Sequence, residues 1–226
     1  MNNYHYIIAS LPQLSKSWAE NSFDIDKVIA EIVEQCSASD RQAVEFFIKG
    51  SDGNGLSREY YAEAEKSQSR FTKLYYNLDR QIRNLKVKAV AQALYGPEEA
   101  KEKIERYSIE LNQSDPYGEY REEKEDLSRL DSADIEALSA IFANSNILEK
   151  ERLLDDFKWE KINIFTTFDY FNLDYILSFI SKSLLIQRWM KLDKENGKHL
   201  FRKLVDEVRG SFDKNKLIYR IDENNG

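Results

Sequence analysis

The stretch over residues 172–209, NLDYILSFISKSLLIQRWMKLDKENGKHLFRKLVDEVR, carries the densest apolar pattern in the chain. It constrains the fold more than any other. Asn172 is a residue type that opens helices. Wound at about 100° per residue, the positions after it gather Asp174, Ser178, Ser181, Lys182 and Arg188 on one narrow stripe. Leu173, Tyr175, Ile176, Leu177, Phe179, Ile180, Leu184, Ile186, Trp189 and Met190 cover the rest. A helix apolar over most of its circumference lies among other elements or in lipid. A lipid span needs about 20 apolar residues with few charges, and Asp174, Lys182, Gln187 and Arg188 interrupt this one. The pattern therefore predicts a core helix around which the others assemble. Leu185 falls within the polar stripe. A lone exposed leucine is common; the alternative is a contact for a partner, which makes Leu185 a candidate partner-binding residue.

The rest of the composition agrees with helices. Gly (8) and Pro (3) are few in 226 residues while 32% are charged, as in long helices rather than a turn-rich β-protein. Aromatics at 12% argue against disorder. Lys+Arg 33 against Asp+Glu 40 give a net charge of −7. Nucleic-acid binding needs a basic surface, so nucleic acid is not an expected partner. One cysteine, Cys36, permits no intrachain disulfide and favours a reducing compartment. The first residues lack the charged and apolar regions of a signal peptide. A cytoplasmic location is expected.

Helical signals run along the chain. The short apolar run over 4–11 stops at Pro12 and fits a strand or a short helix equally. Asp24 reads as an N-cap for a helix with Ile25, Val28, Ile29, Ile32, Val33 and Cys36 on one face. Ser39 with Gln42 reads as a capping box for a helix ending at Gly50. The loop SDGNG at 51–55 lacks the spacing of a calcium loop and reads as a turn. Ser57 caps a pattern that runs to Tyr95, with a heptad seam at Phe71, Tyr75, Leu78, Ile82, Leu85 and Ala89. An unbroken helix there would be about 57 Å long, which implies an antiparallel hairpin or an elongated body. Gly96-Pro97 stops it and starts another helix. The stretch 112–118, NQSDPYG, is the best linker, dividing helical modules at 1–111 and 119–226.

Beyond the linker, a charged helix is expected over 119–130. Asp131 with Asp134 opens a helix with Ile135, Leu138, Ile141 and Phe142 inward. Asn146 with Glu149 opens one carrying Leu153, Leu154, Phe157, Ile164 and Phe168. Phe165, Phe168, Tyr170 and Phe171 read as core aromatics. Asp193 reads as the cap of a last helix with Leu200, Phe201, Leu204, Val205 and Val208 on one face. The expected architecture is all-α, an elongated antiparallel helical bundle.

The chemistry-bearing residues do not form a constellation. His5 and His199 are far apart, and no His/Cys pair has metal spacing. No glycine-rich phosphate loop occurs. The clusters Glu122, Glu123, Glu125, Asp126 and Asp155, Asp156 sit among lysines and arginines, as on solvated helix faces. No catalytic residue, cofactor or metal site is expected, and the chain does not read as an enzyme. Opposite the heptad seam lie Arg70, Lys73, Arg80, Arg83 and Lys88. Such a face is ordinarily solvated; its functional alternative is a basic ridge for an acidic protein, with Lys73, Arg80 and Arg83 as candidate partner-binding residues.

The opening NYHYIIASLPQL and the segment NLDYILSFISKSLLIQRWMKLDKENGKHLFRKLV together resemble a bacterial family of unknown function, associated with Bacteroidetes and related bacteria. The Tyr-x-Tyr-x-x-Ala-Ser-Leu-Pro start at 4–12 is the most particular piece. The genes of that family lie among those for V-type ATPase subunits, in the place of the C subunit, called d in eukaryotes. The resemblance implies a non-catalytic, all-helical socket linking the central stalk to the membrane rotor ring. It also implies V-type ATPase subunits as partners and a place peripheral to the inner membrane. C subunits are longer and contain three similar helical modules. The alternative is a helical adaptor or scaffold unrelated to the ATPase.

Overall fold

In the computed structural model the described residues are 3–51, 56–111 and 127–191. They form nine α-helices, joined by turns and one 3-10 turn at Trp18–Glu20, with no strand among them. The run at 4–11, open between strand and helix, is the helix α1, Tyr4–Ser10, ending just before Leu11 and Pro12. Helix α2, Ile25–Gln35, opens where Asp24 accepts a hydrogen bond from the Lys27 amide. Helix α3, Ala38–Ser51, starts one residue before the expected cap. Ser37 Oγ accepts from the Asp40 amide at 3.2 Å and donates to Asp40 Oδ2 at 2.8 Å. Tyr4 Oη also donates to Asp40 Oδ2, at 3.1 Å. A tertiary bond to α1 thus favours the Ser37–Asp40 register over Ser39–Gln42.

The pattern over 58–95, open between a helical hairpin and an elongated body, is two helices. Helix α4, Arg58–Glu65, is capped by Ser57 as expected. Helix α5, Arg70–Leu94, is capped by Ser69, which accepts from the Thr72 amide. Ser69 Oγ donates in turn to Asp174 Oδ1 at 2.6 Å. The break therefore anchors α5 to the central helix, and α4 packs back against α5 as a helical hairpin. Phe71, Tyr75, Leu78 and Ile82 of the seam are buried, with Leu85 packed against the same core. Helix α6, Pro97–Tyr107, has its proline at the first position and packs along α5.

Helix α7, Ser132–Ala143, opens with the Asp131–Asp134 capping box. Helix α8, Ile147–Phe165, opens at Asn146, and α9, Leu173–Lys191, at Asn172, whose Oδ1 accepts from the Tyr175 amide at 2.9 Å. Two inward assignments change here. Ile135 is exposed, because α7 packs chiefly against α5 and α8 among the described residues and buries its Leu138–Ile141 edge. On α8 the buried stripe runs through Leu154, Ile162 and Phe165, leaving Ile164 exposed. Phe168, Tyr170 and Phe171 lie beyond the end of α8 and are exposed, Phe168 at 86%, so of the expected core aromatics only Phe165 is buried.

Helix α9 is central, as the sequence predicts: Ile176, Leu177 and Ile180 are 0% exposed, and it touches α2, α3, α5 and α8. Its polar stripe is covered too, since Ser178 and Ser181 are buried. Around Phe47 on α3, the rings of Phe71, Tyr75 and Tyr76 pack with centroids 5.6, 5.1 and 5.4 Å away. Helices before residue 112 and after residue 126 contribute to one hydrophobic core. The linker at 112–118, loop residues 52–55, the charged clusters at 122–126 and the helix and tail expected after 191 lie outside the described residues. Of the helix expected over 119–130, residues 127–130 are turn and coil.

Candidate functional site

An open groove of about 710 Å³ lies between α8, the second half of α9 and the 3-10 turn. All three tryptophans of the chain line it. Trp18 comes from the turn, Trp159 from α8 and Trp189 from the last turns of α9. Each is half-buried. Trp18 and Trp189 stack with centroids 5.2 Å apart. The Lys182 ammonium sits 5.3 Å from the Trp159 ring, and burial pulls its pKa below the usual lysine range. Phe157, Leu185 and Ile186 complete the apolar lining.

The charges of the groove are paired. Asp155, expected on a solvated face, is buried at 7%. It accepts from Trp189 Nε1 at 2.7 Å and from Arg188. Burial raises its carboxyl pKa, with Arg188 and Trp189 opposing. Lys16 pairs with Glu160, and Arg152 with Asp156 at 3.0 Å. The groove is thus an aromatic surface within a balanced charged rim, the form of a site that fixes a ligand by burial and orients it by a few polar groups. Of these residues, only Leu185 stands out in the sequence as a candidate. The tryptophans lie at 18, 159 and 189, and no spacing rule connects positions so far apart.

A second polar cluster lies inside the body. Lys158 Nζ on α8 donates to Asp79 Oδ1 on α5 at 2.6 Å. Tyr61 on α4 donates to Asp79 Oδ2 at 2.8 Å. Burial opposes both charges, yet Lys158 holds the Asp79 carboxyl below its usual range and Asp79 holds the Lys158 ammonium well above its own. Burial and the facing carboxylate push the Tyr61 hydroxyl far upward.

The proposed basic ridge divides. Lys73 and Arg83 are exposed. Arg80 is turned inward: its guanidinium donates to Asn77 Oδ1 at 2.7 Å and to the Ile109 carbonyl at 3.4 Å, with Glu65 3.9 Å away. Arg70 likewise donates to the Phe165 carbonyl at 3.2 Å. A third surface, around the end of α8, holds the exposed aromatics; Phe171 meets the His5 ring of α1 at 4.2 Å.

Among the described residues no group of three or more His, Cys, Asp and Glu side chains is placed to hold a metal ion, and no helix is long and apolar enough to cross a membrane. No curated protein and no solved structure matches the chain. A family model described as a protein of unknown function, DUF2764, matches residues 50–211, a span that contains α4 to α9 whole. The chain therefore belongs to the DUF2764 family.

Proposed function

We propose that the protein is a non-catalytic cytoplasmic subunit or accessory protein of a V-type ATPase, C/d-like, that links the central stalk to the membrane rotor ring by protein contacts. The partner class rests on the resemblance carried by residues 4–12 and by the α9 segment. The observation that carries the non-catalytic reading is the use made of buried ionisable groups whose acidity is shifted. Asp79, Lys158 and Tyr61 bond one another across α5, α8 and α4, and Asp155 ties α8 to Arg188 and Trp189 of α9. Perturbed acidity at an enzyme site is directed at a substrate; here its cause is helix-to-helix packing. Lys73 and Arg83 offer outward positive charge on an acidic chain, suited to an acidic partner surface.

The test is affinity capture with the full chain from detergent extracts of native membranes, read by mass spectrometry for V-type ATPase subunits. Recovery of stalk and ring subunits is expected. Recovery of none of them overturns the assignment. With the purified subunits, Lys73→Glu should slow association and weaken its salt dependence, because rim charges act on encounter. The change should alter stability by only about 0.5 kcal/mol. Unchanged rates at two salt concentrations return Lys73 to an ordinary solvated face.

A further inference from the structure

We propose that the aromatic turn between α8 and α9 is a lipid-contacting surface, which enters the interfacial layer of a membrane without crossing it. Phe168, Tyr170 and Phe171 are 86%, 63% and 54% exposed, and all three fall within four residues of chain. Ile164, in the last turn of α8, is exposed as well. Single exposed apolar residues are ordinary; a group of them on one turn marks a contact surface. The turn lies at one end of the helical body. Arg70, the first residue of α5, donates to the Phe165 carbonyl at the end of α8, and Ser69 just before it donates to Asp174 in the first turn of α9. On another side the Phe171 ring rests on His5 of α1.

Two observations favour lipid over a protein partner. The first is charge. Between Lys161 and Asp174 the one charged residue is Asp169, although 32% of the whole chain is charged. Asp169 is held by Arg70 at 3.6 Å and accepts from Asn172 Nδ2 at 2.7 Å. The turn can therefore leave water without burying an unpaired charge. The second is the use of its polar groups. Thr166 Oγ1 donates to the Ile162 carbonyl at 2.9 Å, and Thr167 Oγ1 to the Asn163 carbonyl at 3.1 Å. Asn172 Oδ1 accepts from the Tyr175 amide at 2.9 Å. A protein interface carries about one hydrogen bond per 100–200 Å², and here the side chains that would make them are spent within the fold. A lipid surface asks for none. Phenylalanine suits the apolar side of the interfacial layer, and tyrosine beside it keeps its hydroxyl at headgroup level. Among the described residues no helix is long and apolar enough to span, so the contact is interfacial. The chain is acidic, at −7, and Arg70 is already engaged, so the surface that fits is zwitterionic rather than anionic lipid.

This contact is independent of the ATPase assignment, and its assay contains no other protein. The full chain should float with phosphatidylcholine vesicles, and raising salt should change the bound fraction little, because no unpaired charge takes part. Phe168→Ser/Phe171→Ser should reduce partition by about tenfold or more, as expected for losing two apolar side chains from the contact, with the thermal melting curve close to the parental one. Leu94→Ser is the control. Leu94 is 69% exposed at the far end of α5, about 36 Å along that helix from Arg70, and its loss should leave partition unchanged. Phe168→Trp gives a reading that does not depend on disruption: its emission, over that of the parental chain, should move to the blue on adding vesicles and be quenched by bromine-labelled lipid. Failure of the parental chain to float overturns the proposal, as does equal partition of the double serine variant or an unshifted Phe168→Trp emission. Flotation only with anionic vesicles, or Phe168-dependent self-association without flotation, overturns it too, the latter by giving the turn to a second copy.

Discussion

Replacing Lys158 by methionine isolates the contribution of the buried ion pair to the fold. Methionine keeps the length and most of the volume of the lysine stem, so the loss is mainly the ammonium. The side chains of Lys158 and Asp79 are 17% and 16% exposed, and their charged atoms are 2.6 Å apart. Removing one partner of such a pair leaves a charge without its counter-ion, which costs about 3–5 kcal/mol. At about 2–4 °C per kcal/mol for a chain of this size, the melting temperature should fall by about 6–20 °C. Removing both charges, as Asp79→Leu/Lys158→Met, should recover most of the loss, because buried pairs replaced by apolar groups are often neutral.

The pH dependence makes the test sharper. Asp79 has a lowered pKa in the folded chain. Its contribution is therefore present above the unfolded value of about 3.9 and is lost as pH falls through the folded value. Lys158 is raised. Its contribution is present below the unfolded value of about 10.4 and is lost as pH rises through the folded value. The pair thus stabilises across the whole neutral range. In Lys158→Met the burial of Asp79 is opposed only by Tyr61 and Arg83. Its carboxyl pKa should rise, and the variant should lose stability as pH climbs above about 4. Urea titrations at pH 4, 5.5 and 7, monitored by circular dichroism, would measure this. A loss under about 1 kcal/mol at pH 7 would refute the buried-pair reasoning, as would a double variant no more stable than Lys158→Met.

Two further substitutions probe the core. Gly50→Ala would drive a methyl group into the hydroxyls of Tyr60 and Tyr76, which are committed to the carbonyls of Phe46 and Phe47; a loss of about 1–3 kcal/mol is expected by thermal melting, and an unchanged melting temperature would sink the clash. Ile180→Asp places a carboxyl at a fully buried position of α9 and should cost several kcal/mol, its pKa rising to limit the damage. A parental melting curve for that variant would deny α9 its central place.

Helix existence was legible because its signals are local. Asp24, Ser57, Pro97, Asp131, Asn146 and Asn172 each stand at the helix start that their chemistry predicts. The misreadings occur where a distant residue decides. Ser37 caps α3 with Tyr4 joined to the same carboxylate, and Ser69 divides the helical pattern over 58–95 while bonding Asp174 on α9. Periodicity identifies which residues share a face, but not how far the neighbouring helix extends over it. Ile135 and Ile164 are apolar on edges left exposed among the described residues. Phe168 fails for a simpler reason: α8 has already ended at Phe165.

The same distinction accounts for the site. Arg80 and Asp155 look alike in sequence, each a charge on an exposed-looking helix face. In the fold Arg80 reaches the carbonyl of Ile109, and Asp155 reaches the indole of Trp189. Asp155 is buried and Arg80 largely covered by elements far along the chain, so neither could be separated from its solvated neighbours by spacing. The polar stripe of α9 behaves in the same way. Ser178 and Ser181 are small enough to be enclosed, and Ser178 Oγ turns back to the Tyr175 carbonyl at 2.8 Å. Arg188, later on that stripe, instead reaches Asp155 at the groove. A stripe that reads as one solvent-facing strip is thus closed packing at its middle and part of the candidate site at its end, and the difference lies in which helices lie alongside it.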